Sequence, residues 1–159
     1  MSTVNVSPDD RIRQLGLVLP PAVPPLASYV PIVRRGRLAF VSGHGPLDPQ
    51  KHPVFTGQIG EDLSESQAEA AARLTTLNLL ATLQQGLGSL NVVNRIAQVR
   101  CFIVSSSSTR AHDLVPMTVA KLLGEVFGPD RAGCYITAGI SGSVLNLPVT
   151  IDLIAALDP

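Results

Sequence analysis

The amino-acid sequence predicts an α+β domain in which two helices cover one face of a mixed β-sheet. Five short segments have strand patterns, and two longer segments carry apolar residues at helical spacing. Their order along the chain is β-β-α-β-α-β-β. Since the strands at both ends of this order are joined by hairpin-type connections, we expect strands and helices to form separate layers.

The first two strands are predicted to form a hairpin. Apolar residues occupy 30–33 and 38–43, and the intervening segment 34–37 contains Gly36 and three arginines. In the second strand Leu38 and Phe40 lie on one face, and Ala39 and Val41 lie on the other. Because Leu38 to Val41 are all apolar, we expect this strand to be buried on both faces.

Capping and breaking signals delimit the two helices. Ser64 with Gln67 three residues later forms a capping box, and Gly88 follows the last residue of the apolar period. The second helix is predicted from about residue 114 to 127, which requires Pro116 to lie in its first turn. The remaining strands are predicted at 96–104, 134–140 and 147–157, and the first and last of these show clear alternation.

Composition indicates one domain that associates with itself. The chain has 159 residues, of which 45% are hydrophobic and only 15% are charged. Residues 1–26 include four prolines between positions 20 and 25 and are interpreted as a proline-rich N-terminal arm, followed by the folded domain at 27–159. Because two helices can cover only one face of the sheet, we expect the other face to be buried by self-association.

The charge and the motif content exclude several classes of protein. Formal net charge is zero, so no nucleic-acid partner is expected. The N-terminus lacks the pattern of a signal peptide and no apolar stretch reaches membrane-spanning length, which predicts a cytoplasmic protein without a membrane partner. Two cysteines without metal-ligand spacing, and no phosphate-binding or dinucleotide-binding fingerprint, predict no metal and no cofactor.

Several stretches, in order and at matching spacing, resemble the RidA/YjgF family, which is also called endoribonuclease L-PSP-like. The resemblance covers about residues 20–157 and is carried by Ala27-Ser28-Tyr29-Val30-Pro31, Leu38-Ala39-Phe40-Val41-Ser42-Gly43-His44-Gly45-Pro46, Ala71-Ala72-Arg73, Leu87-Gly88-Ser89-Leu90 and Glu125-Val126-Phe127-Gly128. It implies a chorismate-mutase-like homotrimer with small-molecule clefts between subunits. It also implies hydrolysis of 2-imino or enamine acids to keto acids and ammonia, in which an Arg binds the substrate carboxylate and an acidic residue positions water.

The sequence departs from the family at its catalytic positions. Tyr135 stands where the family has its Arg, Thr150 where it has its water-positioning Glu, and Met117 where many members have an Asn. Neither a phenol nor a hydroxyl supplies the charge of the residue it replaces at neutral pH. Tyr135 and Thr150 are the candidate catalytic residues. The candidate ligand-binding residues are Tyr29, Ser42, Gly43, His44, Met117 and Thr137.

Three functions therefore stay open. The first is a diverged RidA-like protein whose intersubunit cleft binds a small organic ligand, for another reaction or for none. The second is a surviving imine deaminase, a hydrolase, in which Arg131, Arg100 or an arginine of a neighbouring subunit reaches the cleft. The third is an RNA-cleaving or RNA-binding protein, which rests on family naming and is disfavoured by the zero net charge and the few aromatic residues.

Overall fold

The computed structural model describes residues 6–159 and contains three α-helices and one five-stranded sheet. The helices are α1 (Pro8–Gln14), α2 (Glu65–Leu87) and α3 (Ala111–Phe127). The strands are β1 (Ile32–Arg35), β2 (Leu38–His44), β3 (Val93–Ile103), β4 (Cys134–Gly139) and β5 (Val149–Leu157). The predicted order of two strands, helix, strand, helix and two strands is confirmed, with α1 added in front. The hairpin expected at the C-terminal end is wrong, because β4 and β5 do not pair with each other.

The sheet is mixed, and its spatial order is β1-β2-β5-β3-β4. Only the pair β3–β4 is parallel; the other neighbours are antiparallel. The crossover from β3 to β4 passes through α3, as a parallel pair requires. The last strand, β5, lies in the middle of the sheet and alternates strictly between buried and half-buried residues.

Helices α2 and α3 cover one face of the sheet, as predicted. The capping box is present, since the Gln67 N–H donates to Ser64 Oγ at 3.3 Å and the Ser64 N–H donates to Gln67 Oε1 at 2.9 Å. Gly88 ends α2 in the left-handed region with φ +82°. The expectation for Pro116 is wrong: α3 begins at Ala111, so Pro116 lies inside the helix beyond its first turn.

The N-terminal segment packs against the domain, a contact that the proline-rich composition did not predict. Ser7 caps α1, and Ile12 is 7% exposed and belongs to the main hydrophobic core. After α1 the segment 17–25 continues without helix or strand, and Val23 packs with Leu47 and Leu147 in a second small core. The first five residues of the predicted arm lie outside the described residues.

The opposite face of the sheet is uncovered in the single chain and exposes apolar side chains together with the Arg100–Asp152 ion pair. Exposed fractions are 48% for Val33, 40% for Leu38, 41% for Phe40 and 49% for Ile136. The other face of the same strands is buried, with Ala39 fully covered. Burial of β2 on both faces, as its sequence predicts, therefore needs a second molecule.

None of the helices within residues 6–159 combines the length and the apolar character needed to cross a membrane. The cytoplasmic location stays a prediction.

Candidate functional site

A cavity of about 210 Å³ lies where the segment 23–27, the end of β2 and the loop before β5 meet. Tyr29, Ser42, Gly43, His44 and Thr150, five of the eight candidate residues, line it together. Its other lining residues are apolar side chains, prolines, a glycine and one amide, namely Val23, Pro24, Pro25, Leu26, Ala27, Pro31, Gly45, Leu47, Asn78, Val144 and Leu147. No lining residue from the described part of the chain is Asp, Glu, Lys or Arg.

A bulge and two glycines shape the wall of the cavity at the end of β2. The pairing of β2 with β5 shifts register between Val41 and His44, which bends the strand end. A Cβ on Gly43 would lie 3.0 Å from Thr150 Cγ2, and a Cβ on Gly45 would overlap the Leu147 side chain. Glycine at these positions leaves the strand end close to β5 and the cavity open.

His44 is neutral and both of its ring nitrogens are hydrogen-bonded. Nδ1 lies 2.7 Å from the Ser42 carbonyl oxygen, which can only accept, so Nδ1 carries the proton. Nε2 lies 2.7 Å from the Thr82 hydroxyl and accepts from it. Burial lowers the pKa of His44, and the bond to the Ser42 carbonyl opposes that shift in part. The imidazole holds the wall of the cavity and has no free nitrogen to act on a ligand.

Asn78 is the site residue that the candidate set missed. It lies on α2, is 1% exposed, and its Nδ2 donates to the carbonyls of Gly45 at 3.1 Å and Leu47 at 3.0 Å. These bonds fix the loop that follows β2. The available signal was a lone amide in the apolar stretch from Leu77 to Leu80, because a buried amide must find backbone partners.

The segment 23–27 forms one wall of the cavity and is held mainly by side chains. None of the backbone N–H groups of residues 18–28 donates to a backbone carbonyl. The Lys51 ammonium donates to the Pro25 carbonyl at 3.0 Å, and the Leu26 N–H donates to the Tyr29 hydroxyl at 3.3 Å. Tyr29 thus lines the cavity and also fastens its wall.

Tyr135, Thr137 and Met117 do not line this cavity in the single chain. Tyr135 pairs with Val99 in β3 and packs against the core on the helix-covered face of the sheet. Its hydroxyl donates to the Ala132 carbonyl at 3.0 Å, and burial raises the pKa of the phenol. Met117 is 63% exposed on α3. A role for these three residues in the same site stays a prediction that requires a neighbouring subunit.

The two named arginines of the deaminase alternative lie elsewhere. Arg100 binds Asp152 on the open face of the sheet, with both Nε–Oδ1 and Nη2–Oδ2 at 2.8 Å. Arg131 lines a separate cavity together with Asn94 and Asp158. Neither guanidinium lines the cavity at Tyr29 and Thr150, and Arg100 is already occupied by a carboxylate.

The two cysteines are free and differ in exposure. Cys101 is fully buried in β3, and burial raises the pKa of its thiol to about 12. Cys134 is exposed on the open face, where its thiol donates to the Ala97 carbonyl at 3.2 Å. Cys101 is therefore held as the neutral thiol and serves as a small core residue.

The chain belongs to the RidA/YjgF family. Residues 9–150 match the family described as "YjgF/chorismate mutase-like, putative endoribonuclease". The described fold, a mixed sheet with two helices on one face, is the chorismate-mutase-like fold of that family.

Individual relatives agree with this assignment. Protein TCP17 of Trypanosoma cruzi is 31% identical over 150 residues, which cover 92% of each chain. A Shewanella oneidensis protein described as a "putative endoribonuclease" is 29% identical with a TM-score of 0.87, over 95% of this chain and 99% of that one. RidA from a Psychrobacter species is 15% identical with a TM-score of 0.62, over 86% of this chain and 94% of that one, and shares the fold.

Proposed function

We propose that this RidA-type protein binds a small, uncharged and largely apolar organic molecule in the cavity between the segment 23–27 and the end of β2. The observation that carries the proposal is the absence of any charged side chain among the described residues that line the cavity, together with a neutral His44. A charged ligand group would lose its hydration there without gaining an ionic partner, which costs several kilocalories per mole.

The volume sets the size of the ligand. A dry apolar cavity of about 150 Å³ holds benzene. A cavity of about 210 Å³ accordingly suits a molecule of one substituted ring or two fused rings. The apolar side chains of residues 23–27 and of Leu47 supply the contact area, and the few polar groups orient the ligand.

Imine-acid hydrolysis by the family's route is not supported by these residues. That route needs a guanidinium for the substrate carboxylate and an acid for water, and the corresponding positions hold Tyr135 and Thr150. The Tyr135 hydroxyl is bonded to Ala132 and its raised pKa keeps it protonated. The Thr150 hydroxyl can orient a ligand by hydrogen bonding, so we assign it a binding role.

Self-association is part of the proposal. The open face exposes Leu38 and Phe40 on β2 and Ile136 on β4, and exposed apolar side chains on a sheet face are typical of surfaces that proteins bury in assemblies. The family resemblance points to a homotrimer, in which the cavity would lie near the subunit boundary. Tyr135, Thr137 and Met117 of one subunit would then approach the cavity of the next, completing a cleft between subunits.

The site is tested by nuclear magnetic resonance titration with benzyl alcohol. We expect saturable shifts of the backbone amides of Gly43 and Gly45. Val144→Trp, at a residue that lines the cavity and is 67% exposed, should remove these shifts by filling the space. Val18→Trp is the matched control, since Val18 is 84% exposed and outside the cavity. Shifts that persist in Val144→Trp, or that spread over other surfaces, would contradict the proposed site.

The deaminase alternative is tested separately by keto-acid release from freshly generated 2-iminopropionate, with an active family deaminase as the positive control. We expect a rate equal to that in buffer. Acceleration that disappears in Arg131→Ala or Arg100→Met would restore the deaminase function with a relocated arginine.

A further inference from the structure

Two oxygens at the cavity lack hydrogen-bond partners. Asn78 Oδ1 and Ser42 Oγ are both buried, and neither is bonded to any group within residues 6–159. Both residues line the cavity, and Asn78 is 1% exposed. Buried polar atoms without partners are rare in folded proteins, because each costs free energy comparable to a lost hydrogen bond.

Other polar groups at the same cavity are used. Both nitrogens of His44 are bonded, the Asn78 Nδ2 donates twice, and the Tyr29 hydroxyl accepts from Leu26. An amide oxygen only accepts, whereas a serine hydroxyl can both accept and donate. Of the two unpartnered atoms, Asn78 Oδ1 can therefore be satisfied only by a donor on the ligand, and Ser42 Oγ can accept from the same donor.

We propose that the ligand carries an N–H or O–H donor on its apolar body, and that this donor binds Asn78 Oδ1 and Ser42 Oγ. This inference rests on the proposed function and names the class of ligand for the same cavity. Both oxygens are covered by neighbouring atoms in the single chain. The Ser42 side chain turns about its Cα–Cβ bond to meet the ligand. Asn78 is anchored through its Nδ2 to two carbonyls, so the atoms that cover its Oδ1 shift to admit the donor.

Three molecules of nearly equal shape test this assignment by calorimetric titration. Indole has an N–H donor, benzofuran replaces it with an acceptor oxygen, and indene has neither. We expect indole to bind about tenfold tighter than the other two, the effect of one satisfied hydrogen bond in a buried site. Equal affinity for all three would overturn the inference and leave the proposed function standing. No binding of any of the three would contradict the proposed function itself.

Ser42→Ala separates a ligand contact from a structural role. Because Ser42 Oγ has no partner in the described chain, the variant should keep or raise the unfolding midpoint while the preference for indole over indene falls to about threefold. Ser105→Ala is the matched control, since Ser105 Oγ is also buried and unpartnered but lies outside the cavity. It should leave the preference unchanged. An unchanged preference in Ser42→Ala, or an equal loss in Ser105→Ala, would overturn the assignment of Ser42.

Discussion

The hydroxyl of Thr82 on α2 donates a 2.7 Å hydrogen bond to Nε2 of His44 on β2. Because His44 Nδ1 in turn donates to the Ser42 carbonyl, one chain of bonds joins the helix to the strand end that forms the cavity wall. All three groups are satisfied by one another. These hydrogen bonds position Ser42 and Gly43, and they leave no nitrogen of the His44 imidazole free to act as a base on the ligand.

Thr82→Val should lower the free energy of unfolding by about 1–3 kcal/mol, because it leaves a buried imidazole nitrogen without a partner at nearly constant volume. Urea denaturation measures the change. Thr76→Val is the matched control on the same helix, since the Thr76 hydroxyl donates only to the Ala72 carbonyl, which is also part of the helix backbone. Equal losses in the two variants would contradict the role of the Thr82–His44 bond.

Stability should fall as the pH drops below about 6.5, the usual pKa of histidine, because burial lowers the pKa of His44 in the folded protein. Between the two pKa values the unfolded chain binds the proton and the folded chain does not. The free energy of unfolding therefore decreases with falling pH until the folded pKa is reached. Urea denaturation at pH 7.5 and 5.5 tests this.

His44→Gln, which replaces the titrating imidazole with an uncharged amide, should flatten that pH dependence. His112→Gln is the control, since His112 is exposed, and it should keep the slope of the wild type. A slope unchanged by His44→Gln would show that another group causes the dependence.

Gly43→Ala should weaken ligand binding several-fold, because the new Cβ would lie 3.0 Å from Thr150 Cγ2 and narrow the cavity. Calorimetric titration with indene measures the loss. Thr150→Ser removes the opposing methyl group, so the double variant should recover part of the affinity. Gly142→Ala, where a Cβ meets nothing within 4 Å, is the control. An equal effect at Gly142 would contradict the steric explanation.

Phe40→Glu should convert an oligomer into a monomer, because the substitution places an unpaired charge in the apolar open face of the sheet. Sedimentation velocity measures the state of association, and a homotrimer is expected for the wild type. Val18→Glu places the same charge at an exposed apolar residue in the segment before the sheet. This control variant should keep the state of association of the wild type. A monomeric wild type at micromolar concentration would contradict self-association.

The spacing of apolar residues predicted the sheet and the two covering helices, because buried side chains recur at every second residue in a strand and about every 3.6 residues in a helix. The alternation in β5 and the capping box at Ser64 are local signals, and both are confirmed. Helix α1 was not predicted, because the four prolines between positions 20 and 25 led to the interpretation of residues 1–26 as a proline-rich arm. Its own signal was Ser7-Pro8 followed by two acidic residues, a helix-start pattern whose stability comes from packing of Ile12 on the core.

The site was only partly predictable, because spacing along a strand does not show which face a neighbouring element covers. Tyr29, Ser42, Gly43, His44 and Thr150 converge as the family resemblance suggests. The wall from Val23 to Ala27 and the buried amide of Asn78 depend on long-range packing. Tyr135 lies on the strand face that the helices cover within the chain, and its place in a cleft between subunits stays a prediction.

Calorimetric titration of the wild-type protein with benzamide and benzoate tests whether the cavity selects an uncharged ligand, because the two molecules match in shape and differ in charge. A cavity without charged lining residues should bind benzamide, and benzoate at least about tenfold more weakly, since the carboxylate would be desolvated without a cationic partner. Equal or tighter binding of benzoate would show that a cationic group reaches the cavity in the assembled protein and would contradict an uncharged ligand.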